Sequence, residues 1–241
     1  MLPMGRHHFK QNHFQAPKGF GLKNTVGCII VFEGIDSSGK TTQAAQLFDF
    51  FQRRQFDVEL VKFPRYQTEI GALIKKYLDG ELGAKETIPP EAIALLYAAD
   101  RFFFVKEIHS KLASGKILIL DRYTASNLAH QGARFGGPSE QKKFTDWLQR
   151  VESRLPAPAI TIFLDAPLPT SQQMMNTKAQ AKDIHEKDAL YLQKTLEIYR
   201  QLAQKEKNWI HIQCAPQNRL RSIADIHQTV VRELEKKLKL N

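Results

Sequence analysis

The clearest chemistry in the chain lies in one short run: Gly34, Ile35, Asp36, Ser37, Ser38, Gly39, Lys40, Thr41 and Thr42. It follows Gly27–Glu33, a stretch that is apolar up to its final carboxylate. A Gly-rich turn between a strand and a helix presents backbone N–H groups that surround phosphate oxygens. The helix N-terminus adds a partial positive charge. In the pattern G-x-x-x-x-G-K-[ST], the lysine reaches the β- and γ-phosphates of a nucleotide and the following hydroxyl holds Mg²⁺. Lys40 and Thr41 occupy those places. Average residue usage yields this pattern by chance in about one per cent of chains of this length. A strand before it and a helix after it lower that further. The run reads as a nucleoside triphosphate site.

Further polar clusters fall where other strands end. Phe63-Pro64-Arg65-Tyr66 follows a second apolar run, and Asp121-Arg122-Tyr123 closes a third. Ser126-Asn127 and His130-Gln131-Gly132 come one and two helical turns later. Tyr97 precedes Asp100-Arg101 inside a long helical pattern, and Asp36 sits within the phosphate turn itself. A plain ATPase or GTPase needs none of these additional arginines.

The elements that position these residues are legible from period and punctuation. Strands are expected at Cys28–Glu33, Val58–Phe63, Ile117–Asp121, Ile160–Asp165 and Trp209–Cys214, each short and apolar on both faces, as in a parallel sheet covered by helices. Helices are expected at Lys40–Arg54, Thr68–Leu78, Pro90–Ser114, Ser139–Ser153, Asp183–Lys205 and Leu220–Leu238. Pro89-Pro90 presets one helix start, and Gly115 stands where that helix ends. Right-handed crossovers then give an α/β fold, a three-layer α/β/α sandwich on a five-stranded parallel sheet, with ligands at the carboxyl ends of the strands.

As an ordered set, F-[EV]-G-[IV]-D-x-x-G-K-T-T, F-P-R, A-x-D-R and D-R-Y-x-x-S resemble the thymidylate kinase family of P-loop nucleoside monophosphate kinases. The resemblance covers residues 26–235. It implies transfer of the γ-phosphoryl group of ATP to dTMP, giving dTDP, with Mg²⁺ held by Thr41 and Asp121. It also implies that Arg65 and Arg122 hold the acceptor phosphate, with Asp121 near the transferred group and Tyr66 beside phosphate and sugar. Asp36 would accept a hydrogen bond from the sugar 3′-hydroxyl. Tyr97 would stack on the base, Arg101 with Asn127 or Gln131 would read its edge, and Phe63 and Ser126 complete the acceptor site. Family members form homodimers through helices, and the Phe102-Phe103-Phe104-Val105 run fits such an interface.

The chemistry agrees with this. A nucleoside monophosphate is already a dianion at pH 7, since its second pKa lies near 6. It needs no general base, only suppression of repulsion between two anions held in line. Bidentate guanidinium groups suit the acceptor phosphate. A nucleoside kinase would instead need a carboxylate base after its second strand, where this chain has Phe63-Pro64-Arg65. A silent P-loop module is expected to have lost Lys40, Asp121 or the acceptor arginines, and all are present. The choice between dTMP and dUMP stays open, because one methyl in a pocket is worth only about 1–3 kcal/mol.

Two departures from the family pattern stand out. The family places an arginine in the phosphate turn or in a lid after the fourth strand. Here the turn offers Ser37 and Ser38, and no arginine lies between Arg154 and Arg200. The lid is expected as a short helical segment over about 170–186. Lys178 and Lys182, one helical turn apart, are the expected substitutes, with Lys182 assigned a catalytic role. His130 stands where the family often has Tyr or Phe, close to the acceptor sugar.

Bulk properties set the remaining bounds. A chain of 241 residues with 42% hydrophobic and 25% charged residues fits one well-filled α/β domain over 26–241. No apolar run approaches the ~20 residues that cross a bilayer, so no membrane partner is expected. Cys28 and Cys214 read as small buried apolar residues, which suits a reducing cytoplasm. The net charge is +10, and Arg6, Lys10, Lys18 and Lys23 supply part of it without any acid before residue 25. That stretch, 1–25, is expected to be a flexible basic tail. The scattered remainder suits an enzyme with two phosphorylated substrates, and no nucleic acid partner is expected.

Overall fold

In a computed structural model covering residues 27–84, 86–176 and 188–238, short β-rich runs alternate with helices. The strands are β1 (Cys28–Glu33), β2 (Val58–Lys62), β3 (Ile117–Asp121), β4 (Ile160–Asp165) and β5 (Trp209–Gln213). They form one parallel sheet in the order β2-β3-β1-β4-β5. The helices are α1 (Lys40–Arg53), α2 (Glu69–Leu78), α3 (Pro90–Ala113), α4 (Thr124–Gly132), α5 (Pro138–Val151), α6 (Leu168–Asn176), α7 (Ala189–Lys205) and α8 (Ile223–Leu238).

The period-2 alternation of the strands sorts the core into two halves. Ile30, Phe32, Ile119, Ile162 and Ile212 pack against Leu47 and Phe51 of α1 and Val230 of α8. Ile29, Val31, Leu118 and Leu120 meet Phe104 and Ile108 of α3, while Phe163 meets Leu196 and Tyr199 of α7. Helix α1 thus leaves β1 toward one face, and α4 leaves the neighbouring β3 toward the other. Between them a crevice opens at the carboxyl ends of the strands, the place where open α/β sheets bind ligands. Cys28 and Cys214 are both buried in the α1–α8 half.

Several expectations need correction. β2 and β5 are sheet edges, so they are only partly covered, and both end one residue earlier than expected, leaving Phe63 and Cys214 just beyond them. Helix α8 starts at Ile223 and not at Leu220, because the Ser222 hydroxyl accepts from the Asp225 N–H at 3.1 Å and caps it there. Helix α5 begins on Pro138 and gives way after Val151 to a short 3₁₀ turn, Glu152–Arg154. Asp188 caps α7 by accepting from the Tyr191 N–H at 3.0 Å. Helix α6 coincides with the start of the helical segment expected over about 170–186, whereas α4 is not among the expected helices. Phe104 points into the core, whereas Phe103 is 77% exposed. The tail and residues 177–187, including Lys178, Lys182 and most of the expected lid, lie outside the described residues.

Candidate active site

The phosphate turn is shaped by close backbone approach. Gly34 has φ +146°, and a Cβ there would stand 2.7 Å from the Leu164 carbonyl oxygen and 2.8 Å from Ser38 Oγ. Only glycine fits. Lys40 is buried, and its ammonium donates to the Ile35 carbonyl at 2.7 Å, folded back over the turn. Burial, reinforced by the nearby Arg122 charge, pushes its pKa down to about 7, against the opposing pull of Asp36, Asp121 and Glu33. Thr41 donates its hydroxyl to Asp121 Oδ2 at 2.6 Å, linking α1 to the end of β3. These groups, with Ser37, Thr42 and Lys62, line an open phosphate cavity with about 730 Å³ of empty space.

A second cavity of about 550 Å³ adjoins it, and Asp36 and Arg122 line both. Arg122 has φ +72°, a left-handed conformation that costs a non-glycine residue about 1–3 kcal/mol. Its guanidinium donates to Asp36, to the Gly34 carbonyl and Ser126 Oγ (both 3.1 Å), and meets His130 Nε2 at 3.2 Å. Burial opposes its charge, but Asp36, followed by weaker acidic neighbours, outweighs this and keeps it cationic. His130 Nδ1 in turn meets the Tyr191 hydroxyl at 3.0 Å.

The far end of this second cavity is lined by Phe63, Tyr66, Tyr97, Arg101, Asn127 and Gln131. Arg101 donates to Glu152 at 2.7 Å, with both side chains almost fully buried. Asn127 donates its amide N–H to the Ala94 carbonyl at 2.9 Å and to Glu152 at 3.0 Å. Two acceptors on that side fix its orientation, so Oδ1 is the atom turned elsewhere. Among the described residues, Asn127 Oδ1, Gln131 Nε2 and Arg101 Nε are buried without hydrogen-bond partners.

The structure therefore brings together every expected acceptor-site residue except Arg65. That guanidinium lies 3.5 Å from Asp100 Oδ1, above the Phe104 ring at 4.4 Å, and does not line either cavity. The Arg65 backbone N–H also donates to Asp100, at 3.0 Å. Gly71 allows this loop to lie against α2, since a Cβ there would stand 1.9 Å from the Arg65 carbonyl oxygen.

Three buried carboxylates that brace the site have no role assigned from the sequence: Glu33, Asp100 and Glu152. Glu33, fully buried at the end of β1, accepts from the Tyr123 and Ser126 N–H groups (2.9 and 3.1 Å) and the Ser126 and Tyr199 hydroxyls (2.6 and 3.0 Å). Burial and the Glu33 charge raise the Tyr199 phenol well above its ordinary pKa, so it stays a donor. A carboxylate ending an otherwise apolar strand was a usable signal for Glu33. Nothing local marked Glu152.

A phosphate turn feeding a cation-lined junction, and beyond it a cavity that combines aromatic walls with buried polar atoms, together define a P-loop kinase of nucleoside monophosphates. The sequence matches the thymidylate kinase family over residues 32–228. A Pyrococcus abyssi protein described as a probable thymidylate kinase is 38% identical over 208 residues, covering 85% of this chain and 94% of that protein. The Plasmodium falciparum thymidylate kinase is 32% identical over 87% of this chain and 90% of its own length. Among solved structures, thymidylate kinase from Candida albicans superposes with a TM-score of 0.73 at 26% identity, covering 89% of this chain and 95% of that one. The chain belongs to the thymidylate kinase family.

Proposed function

We propose that this enzyme transfers the γ-phosphoryl group of ATP to dTMP, giving dTDP and ADP, and that the two adjoining cavities hold donor and acceptor. The observation that carries the acceptor assignment is the set of buried, unpartnered polar atoms beside Tyr97. A thymine ring needs an acceptor for N3–H and a donor for O4. Asn127 Oδ1 supplies the first, and Arg101 or Gln131 the second. Leaving such atoms unpaired costs about 1–3 kcal/mol each, which a matched base recovers on binding. Stacking on Tyr97 adds about 1–3 kcal/mol.

At the junction, Arg122 receives the acceptor phosphate with Tyr66 beside it. Asp36 orients Arg122 and accepts from the sugar 3′-hydroxyl. An acceptor oxygen attacks the γ-phosphorus, the bond to the β-phosphate oxygen breaks, and its electron pair leaves on ADP. No proton needs removal. Lys40, released from Ile35 by the incoming phosphates, neutralises the donor. Thr41 and Asp121 offer the hard oxygen ligands that Mg²⁺ prefers, and are the residues that would hold it. Bound there, Mg²⁺ would supply positive charge that offsets the negative charge of the phosphates.

The test is ADP release measured with dTMP, dUMP, dCMP, dGMP and thymidine as acceptors. dTMP and dUMP both present N3–H and are expected to turn over. dCMP, with no proton on N3, is expected to fall at least about a hundredfold in kcat/KM. Turnover of thymidine without dTMP overturns the assignment.

A further inference from the structure

Among the described residues, three cationic side chains line the phosphate cavity: Lys40, Arg122 and Lys62. The first two are engaged by the protein itself, Lys40 by the Ile35 carbonyl and Arg122 by Asp36, Gly34 and Ser126. Lys62 differs. It is the exposed last residue of β2, and among the described residues its side chain forms no hydrogen bond or ion pair.

Strand register fixes where it stands. Lys62 is the Cα partner of Asp121, which is in turn the partner of Phe32. Residues side by side in a parallel ladder share a face of the sheet. Phe32 packs on the α1 side, and Thr41 at the start of α1 donates to Asp121. Lys62 therefore joins the row that holds the hydroxyl–carboxylate pair, on the opposite flank of Asp121 from β1. An exposed lysine is ordinarily a solvated charge, but the lysines at the other end of β2 are paired. Lys111 pairs with Glu59 of β2 and with Glu107, and Lys116 pairs with Asp57. Lys62 alone of these faces the cavity and takes no acid.

The cavity has a use for that charge. Asp36 and Asp121 line it, and two phosphorylated substrates add more negative charge. During transfer, the charge spreads over the equatorial oxygens of the moving phosphoryl group. Arg200, the first arginine after the lid segment, cannot serve, since it donates twice to Asp165 at 2.9 Å.

We propose that Lys62 is a further catalytic residue, its ammonium donating to oxygens of the phosphoryl group in flight from the β2 side of the cavity. The lysine keeps its proton throughout and acts as a fixed counter-charge. This inference rests on the phosphoryl-transfer reading, which wild-type turnover of ATP with dTMP tests separately.

The experiment compares Lys62→Met and Lys62→Arg with wild type in steady-state kinetics, alongside binding of ADP and of dTMP alone. Removing one preorganised donor to transition-state charge is expected to lower kcat by about a hundredfold, the low end for such a donor because this one is exposed. KM for both substrates is expected to stay within about threefold, and so is the affinity for ADP and dTMP, neither of which carries the γ-phosphoryl group. Lys62→Arg restores a charge and is expected to recover most of kcat. Lys62→Met with kcat within about twofold of wild type overturns the proposal. So does a loss confined to KM, loss of ADP binding, or an arginine variant no better than methionine.

Discussion

The two cavities that meet at Arg122 are built on different principles. The cavity beyond Arg122 is walled by side chains already hydrogen-bonded to buried carboxylates: Arg101 and Asn127 to Glu152, and Ser126 to Glu33. The phosphate cavity is walled mainly by a backbone turn, one hydroxyl–carboxylate pair and two lysines, Lys40 held by a backbone carbonyl and Lys62 by no acid. The difference follows from what each must recognise. A base edge is read by direction, so its partners must be immobilised beforehand. A triphosphate is bound by charge and backbone N–H groups, which tolerate side-chain adjustment. Acceptor-side residues should therefore couple binding to stability, and donor-side residues should not.

The sharpest way to break this contrast is Lys40→Met. On the donor side, kcat is expected to fall by about 10²–10³-fold, while the unliganded fold holds or gains stability. The sign follows from its pKa. Burial pushes Lys40 down to about 7 from an ordinary 10.5, so between those values the unfolded chain binds the extra proton. The native state gains relative stability as pH rises through that window. A neutral, apolar replacement removes a desolvation penalty present at pH 7. Kinetics and urea melts at pH 7 check both halves, and a clear loss of stability would mean that the ammonium supports the turn.

Glu152→Gln is the acceptor-side counterpart. It leaves the Arg101 guanidinium buried with its charge unbalanced, since both side chains are at most 5% exposed. Removing one member of such a pair costs about 3–5 kcal/mol, and the retained amide oxygen places this change at the lower end. KM for dTMP is expected to rise about tenfold or more as Arg101 and Asn127 lose their anchor, with KM for ATP within about twofold. Equal shifts in both KM values would erase the distinction between the cavities.

The same contrast explains what the sequence made legible. The donor side depends on residues close together in the chain, so the spacing of Gly34, Gly39, Lys40 and Thr41 announced it. Asp121 and Arg122 were found because they end a strand. The supports of the acceptor side act across long separations: Glu33 bonds to residues 90 or more positions away, and Glu152 reaches Arg101 across 51. No local pattern records such pairings. Helix α4 escaped for a related reason. Its inner positions hold Ser126, Asn127, His130 and Gln131, which face a cavity and break the apolar period that reveals an amphipathic helix. Arg65 was legible as a motif residue, but its engagement by Asp100 is a tertiary fact.

The smallest expected effect uses the two thiols as reporters on the donor half of the core. Cys28 and Cys214 both lie in the α1–α8 layer. Burial pushes each from an ordinary 9.0 up to about 12, with Asp165 adding to the shift at Cys214. At pH 8 the thiolate fraction is then about a thousandfold below that of a free thiol, and reaction with a thiol reagent slows in proportion. The sign for stability is the reverse of that for Lys40. The unfolded thiols ionise first, so stability present below about pH 9 is lost as pH rises from there toward the folded value. If the cavities are structurally independent, Glu152→Gln should leave native thiol reactivity at pH 8 as slow as in wild type, because its damage lies across the sheet. Fast labelling of both cysteines in that variant under native conditions would show that the acceptor-side carboxylates hold the donor layer together as well.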